Sequence, residues 1–221
     1  MILKAQNIKM EFERKRKDTN ILEVLNEFNL EVPNGKLLLI MGESGKGKTT
    51  ILNIISGLLK PTEGNVFLDE TDIYSLNDKE LSKLRSENFG MVPQGQTLLR
   101  SLNVLDNILL PIKLYRNPSE DDIKRAKDLI DEMGITDLID VMPSEMSGGE
   151  LRRATIARAL INNPKILFAD EPTSDLDSKN RNMIIDIFKA QRDKGVSVVM
   201  VTHDDSLKDI ADILINLNEE A

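Results

Sequence analysis

Gly42-Glu43-Ser44-Gly45-Lys46-Gly47-Lys48-Thr49 fits the pattern G-x-x-x-x-G-K-[ST], and it stands between the apolar run Leu37–Met41 and the helical pattern from Thr50 to Leu59. A glycine-rich turn between a strand and a helix aims successive backbone N–H groups at one point in front of a helix N-terminus, which is a site built for an anion. Glycines let the chain turn tightly and approach phosphate oxygens without a Cβ clash. Lys48 adds a point charge toward the β- and γ-phosphates, and Thr49 a hydroxyl for Mg²⁺. By average composition such a match arises by chance in about 1% of chains of this length. Together with its flanks it commits the chain to a parallel α/β unit that binds nucleotide phosphate.

Two further apolar runs, Ile166–Ala169 and Val196–Val201, read like Leu37–Met41 as parallel strands buried on both faces. The start differs: alternation in Ile2–Ile8 and Val24–Val32, closed by Pro33-Asn34-Gly35, predicts half-buried antiparallel strands. Between these parts, Asp78–Ser86, Val104–Tyr115 and Ser119–Met133 have helical periodicity. The expected fold is therefore α/β: a core with a mainly parallel sheet, an antiparallel β edge and a helical subdomain. At 221 residues a single domain is expected, divided into a core of about 1–93 and 163–221 and a helical part of about 94–162.

No window approaches the roughly 20 apolar residues of a membrane span, and the first residues lack a signal-peptide core, so a cytoplasmic location is expected. Zero cysteines exclude disulfide and thiolate chemistry. With Lys+Arg 29 against Asp+Glu 37, the formal charge of -8 repels phosphate backbones, so nucleic acid is not an expected partner. The basic run Arg14-Lys15-Arg16-Lys17 reads as a solvated loop.

Ile166–Ala169 delivers Asp170 and Glu171 to the sheet end where the phosphate loop also lies. Successive residues point to opposite sides, so the two carboxylates divide the work. One can hold Mg²⁺ while the other polarises the attacking water, although an Asp-Glu pair after a strand can also cap a helix. His203, the one histidine, closes the next strand at the same edge and suits a hydrogen bond to a γ-phosphate.

Ser147-Gly148-Gly149-Glu150, running into the helical Leu151–Leu160, resembles the signature motif of the ABC (ATP-binding cassette) ATPases. The order of motifs agrees: phosphate loop, Gln94, signature, Asp170-Glu171, Ser174-Asp175-Leu176-Asp177, His203. The resemblance spans nearly the whole chain and implies a P-loop ATPase using ATP and Mg²⁺. It implies a phosphate loop of Gly42, Glu43, Ser44, Gly45, Lys46, Gly47, Lys48, Thr49 and Thr50. Thr49, Gln94 and Asp170 would reach Mg²⁺, Glu171 would be the general base, and His203 the switch on the γ-phosphate. Ser147, Gly148, Gly149 and Glu150 would complete the ATP site of a second copy in a sandwich dimer, with Asp177 coupling the two sites. Phe12 falls where an aromatic residue stacks on adenine, or else packs in the core.

Lys46, Pro93, Met146, Glu150 and Asp175 depart from the commonest family residues, but none removes a group the chemistry needs. The segment after Gln94 is similar to the lipoprotein-releasing and macrolide-export branch. This implies export or extraction of a peptide, lipid or drug through a membrane permease, the cassette lying peripherally on the cytoplasmic face. A cell-division or other non-transport role is the alternative. Leu98, Leu99, Leu102 and Leu105 are candidates for docking a permease helix, or for the subdomain core.

Overall fold

Strands β3 (Leu37–Met41), β7 (Ile166–Asp170) and β8 (Ser197–Thr202) are buried along their whole length. The computed structural model, which describes residues 1–13 and 21–218, shows why. They are the centre of a parallel sheet of order β6-β7-β8-β3-β9, covered on both faces. Side chains alternate between two cores: Leu37, Leu39, Leu167, Ala169, Val198 and Met200 enter one, and Leu38, Ile40, Ile166, Phe168, Val199 and Val201 the other. Two edge strands escaped the sequence reading. Both β6 (Phe89–Val92) and β9 (Ile213–Asn216) are only four residues long, the first broken by Gly90 and the second half-exposed. The basic run Arg14–Lys17 lies outside the described residues.

The antiparallel beginning is as expected, but its strands are longer. Strands β1 (Leu3–Glu13), β2 (Ile21–Val32), β4 (Glu63–Leu68) and β5 (Thr71–Asp72) form a sheet of order β2-β1-β4-β5, with register shifts along β1. Its inner face and helix α1 (Lys48–Ile55) close the second core. Helices α3 (Val104–Lys113), α4 (Glu120–Glu132), α5 (Gly148–Leu160) and α6 (Ser178–Asp193) close the first, while α2 (Asp78–Asn88) lies against β6. Local chemistry sets the helix starts: Asn77 with Glu80, Ser119 with Asp122 and Ser147 with Glu150 form reciprocal capping boxes. None of the helices among the described residues is long and apolar enough to cross a membrane.

Asn107 of α3 is fully buried. Its side-chain oxygen accepts from Leu99 N (2.7 Å), and its amide nitrogen donates to the carbonyls of Leu99, Leu102 and Asn103 at 2.9–3.0 Å. One side chain thus folds the turn before α3. Asn107→Leu strands these groups and should cost about 2 kcal/mol, seen in thermal unfolding as a fall of about 4–8 °C in the midpoint. An unchanged midpoint would show that the turn is held by other contacts.

Candidate functional site

The ends of β3, β6, β7 and β8 meet at one edge of the parallel sheet, where the sequence placed the chemistry. The phosphate loop leaves β3 and enters α1 through Gly47 in the left-handed region (φ 86°). A Cβ there would sit 2.9 Å from Val24 Cγ1, so β2 packs directly under the turn. Glu43, Ser44, Gly45, Lys46 and Thr49 are exposed, Gly42 is buried and Thr50 half-buried. The helix begins two residues earlier than the sequence pattern suggested, which places Lys48 in its first turn. Lys48 is buried, and its Nζ donates to the carbonyls of Gly42 (2.6 Å) and Glu43 (3.0 Å). The charge is held inside the turn of the loop.

Asp170 and Glu171 part, though not by strand alternation, since β7 ends at Asp170 and Glu171 turns into the left-handed region. Asp170, 4% exposed, has a buried Oδ1 with no hydrogen-bond partner. Burial pushes its carboxyl upward; a hydrogen bond from the Thr49 hydroxyl and the charges of Lys48 and Arg152 oppose this, while Glu171 adds to it. An orphaned carboxylate oxygen beside a threonine hydroxyl fits a hard cation such as Mg²⁺, which takes oxygen ligands.

Glu171 adopts a left-handed backbone (φ 44°), which costs a non-glycine residue about 1–3 kcal/mol and must be held by its surroundings. What holds it is β8. Glu171 N donates to Val201 O (2.9 Å), the Thr202 hydroxyl donates to Oε2 (2.9 Å), and His203 Nδ1 lies 2.8 Å from Oε1. The carboxylate is buried and the imidazole exposed. The sequence brought these two residues to one edge; Thr202, the third member, carried no motif.

Gln94 is exposed just past β6, whose Val92 pairs beside Ala169. Its segment is tied to α5 at both ends: Arg152 donates to Pro93 O (2.9 Å), and Arg158 donates to Thr97 O (2.8 Å) and Oγ1 (2.7 Å). Neither arginine was singled out from the sequence, because its partners lie about 60 residues away.

Ser147 and Gly148 are exposed at the start of α5. Glu150 does not project freely. Its carboxylate accepts from Ser147 N (2.7 Å) and Oγ (2.8 Å), and these bonds hold it below the usual carboxylate range. Gly149 has no room for a side chain, since a Cβ would meet Asn180 Oδ1 at 2.4 Å. Asn180 in turn accepts from Arg153 (2.8 Å) and donates from Nδ2 to Asp177, the cap of α6 (2.6 Å). The signature start and the Asp177 loop are therefore one packed unit. Asp175 sits between them in the left-handed region (φ 60°), which Asp tolerates better than most side chains. Phe12 pairs with Leu22 at the end of β1 and packs, half-buried, on the edge of the second core.

The leucines picked as a docking surface divide. Leu98 is buried, Leu102 and Leu105 are half-buried, and Leu99 alone is exposed. Asn107 draws this turn inward. Exposed apolar side chains gather elsewhere, with Leu58, Leu114 and Tyr115 rimming a groove of about 370 Å³ floored by Phe89, Met91 and Pro111 between α2, α3 and α5.

Residues 25–174 match the ABC transporter family. The lipoprotein-releasing system ATP-binding protein LolD of Aquifex aeolicus is 41% identical over 209 residues, covering 95% of this chain and 90% of that protein. The macrolide export ATP-binding/permease protein MacB of Campylobacter fetus is 38% identical over 99% of this chain, which spans 34% of that longer protein. The solved dimer of the ATP-binding cassette MJ0796 in a post-hydrolysis state with ADP and Pi superposes with a TM-score of 0.88 at 36% identity, covering 97% of this chain and 93% of that one. The geometry of the phosphate loop, the paired carboxylates and the capped signature helix accords with these likenesses, and the chain belongs to the ABC transporter family as an ATP-hydrolysing cassette.

Proposed function

We propose that the cassette powers export or extraction of a peptide, lipid or drug through a membrane permease, with Glu171 as general base. One observation carries the assignment of the base: Glu171 is a buried carboxylate fixed by Thr202 and His203 at the sheet edge that also holds Lys48. Its Oε1 accepts the proton of the attacking water, and His203 orients it and contacts the γ-phosphate. Lys48 and the loop N–H groups of residues 42–50 neutralise the β- and γ-phosphates, and Phe12 meets the adenine. Thr49, Gln94 and Asp170 would hold Mg²⁺, which would supply charge neutralisation for the phosphates.

The signature start is exposed, and no hydrogen bond or ion pair among the described residues joins it to the phosphate loop of the same chain. This favours a sandwich in which Ser147, Gly148, Gly149 and Glu150 close on the ATP of a second copy. Residues of about 94–162 then act as the helical subdomain against a core of about 1–93 and 163–221. Ser147→Arg should abolish the dimer that ATP drives in a hydrolysis-deficient background, yet leave ATP affinity of the monomer within about threefold. Light scattering reads the first and calorimetry the second. Loss of monomer binding would place Ser147 in its own chain's site and end the sandwich reading.

The permease docks in the apolar groove beside Leu58, Leu114 and Tyr115. An apolar patch of this kind on an otherwise charged surface marks an interaction site, and a helix laid in a groove is a common way to fill one. The cassette would then sit on the cytoplasmic face of the membrane through its partner.

A further inference from the structure

The charges around that groove are lopsided. Arg85 and Arg158 line it, and the adjoining hollow of about 490 Å³ adds Lys79, Lys83, Arg116 and Glu87. Two of the cations are compensated, Arg116 by Asp122 and Lys83 by Glu87 at 3.8 Å. Arg85, Arg158 and Lys79 form no ion pair with a carboxylate among the described residues. Arg85 donates only to Gly57 O (2.6 Å) and the Ser82 hydroxyl (3.2 Å), and Arg158 only to Thr97. Arg85 and Arg158 thus line the groove, and Lys79 the adjoining hollow, on a chain whose formal charge is -8.

Arg158 is the most telling of the three. Burial alone acts on its guanidinium and disfavours the charge. In the two comparable arginines, Arg125 and Arg152, neighbouring carboxylates (Glu132 and Asp128; Asp175 and Asp170) oppose the same burial. Arg158 is half-buried, and a cation withdrawn even partly from water without a counter-charge is costly unless a partner supplies one. The groove is thus apolar where it is deep and uncompensated positive at its walls.

We infer that the groove selects an acidic amphipathic helix, one whose apolar side chains enter between Leu58, Leu114 and Tyr115 while an Asp or Glu meets Arg85, Arg158 and Lys79. The inference rests on the reading that the permease docks here, and it adds the chemistry that the permease segment must have. Complementary charge of this kind fixes register and suppresses wrong partners more than it adds affinity. It also gives Arg158 two neighbours at once, the docked helix on one side and, through Thr97, the segment bearing Gln94 on the other.

The chain has no cysteine, so a single one can be placed at will. Leu114→Cys and Leu58→Cys, each carrying a thiol-linked photo-crosslinker, would be assembled with the permease in native membranes and irradiated, and the attached peptide sequenced by mass spectrometry. Alongside, Arg85→Glu and Lys79→Glu would be compared with Arg85→Lys for retention of the permease in detergent, with ATPase activity of the isolated cassette as the folding control. The expected result is a permease peptide with one or more carboxylates within a helical turn of the crosslink. Each reversal should lower retention about tenfold, and Arg85→Lys by less than about threefold, at unchanged basal activity. A permease peptide without Asp or Glu, or retention indifferent to both reversals, overturns the acidic complement while leaving the docking site in place. A permease that co-purifies but is crosslinked at neither cysteine, or a crosslink to a second cassette, overturns the docking reading and the inference with it.

Discussion

Glu171→Gln should lower kcat for ATP hydrolysis by roughly 10²- to 10⁴-fold, the usual contribution of a positioned general base, and leave ATP affinity within about threefold. The reason is local. Glutamine has the shape of glutamate, so the left-handed backbone at φ 44° and its bond to Val201 O are unaffected. Its side-chain oxygen can still accept from the Thr202 hydroxyl, as Oε2 now does at 2.9 Å. What the amide cannot do is take a proton from water. Affinity should be spared because the groups proposed to hold ATP, Lys48 and the loop N–H groups, form no hydrogen bond with Glu171. Phosphate release in single turnover gives the rate, and calorimetry the affinity. Turnover within threefold of the parent would remove Glu171 as base and point to His203 or a bulk-solvent route.

Most of this arrangement was legible along the chain, and its limits have physical causes. The central strands were readable because burial on both faces turns them into unbroken apolar runs. Strand β6 was not, since Phe89-Gly90-Met91-Val92 is too short and too mixed to stand out, and β9 had the same defect. The site residues were readable wherever chemistry dictates a local pattern, as in Gly42–Thr49 or Ser147–Glu150. What no local pattern encodes is the contact between such patterns. The Glu171 triad depends on β7 pairing with β8 so that Asp170 lies opposite Val201. The fit of Gly149 against Asn180 and the reach of Arg152 and Arg158 to the Gln94 segment likewise arise only when distant elements pack. The division of Leu98, Leu99, Leu102 and Leu105 between surface and core was hidden for a related reason. Periodicity shows that α3 has an apolar face, but not that buried Asn107 folds the preceding turn back on it, burying Leu98 and half-covering Leu102 and Leu105.

Lys48→Ala should act on binding where Glu171→Gln acts on rate, weakening ATP by about 10²-fold. A hydrogen bond to a charged group is worth about 1.5–3 kcal/mol, and Lys48 is the one side chain of the loop that brings a positive charge into the buried turn. Its Nζ donates to the carbonyls of Gly42 and Glu43, at 2.6 and 3.0 Å, so it holds the loop's shape as well as its charge. Removing it leaves two carbonyls facing the place where phosphate oxygens must come, acceptor against acceptor. Arginine should not rescue the loss, because a planar guanidinium cannot fit the space of an ammonium that is 8% exposed and bound by both carbonyls. The two causes separate by measurement. If charge dominates, the unliganded Lys48→Ala protein melts within a few degrees of the parent and only the calorimetric Kd for ATP changes. If the loop's shape dominates, the unliganded midpoint falls as well and inorganic phosphate fails to shift it. An ATP affinity equal to the parent's would show that backbone N–H groups alone bind the phosphates, and that Lys48 is a structural clamp on Gly42 and Glu43.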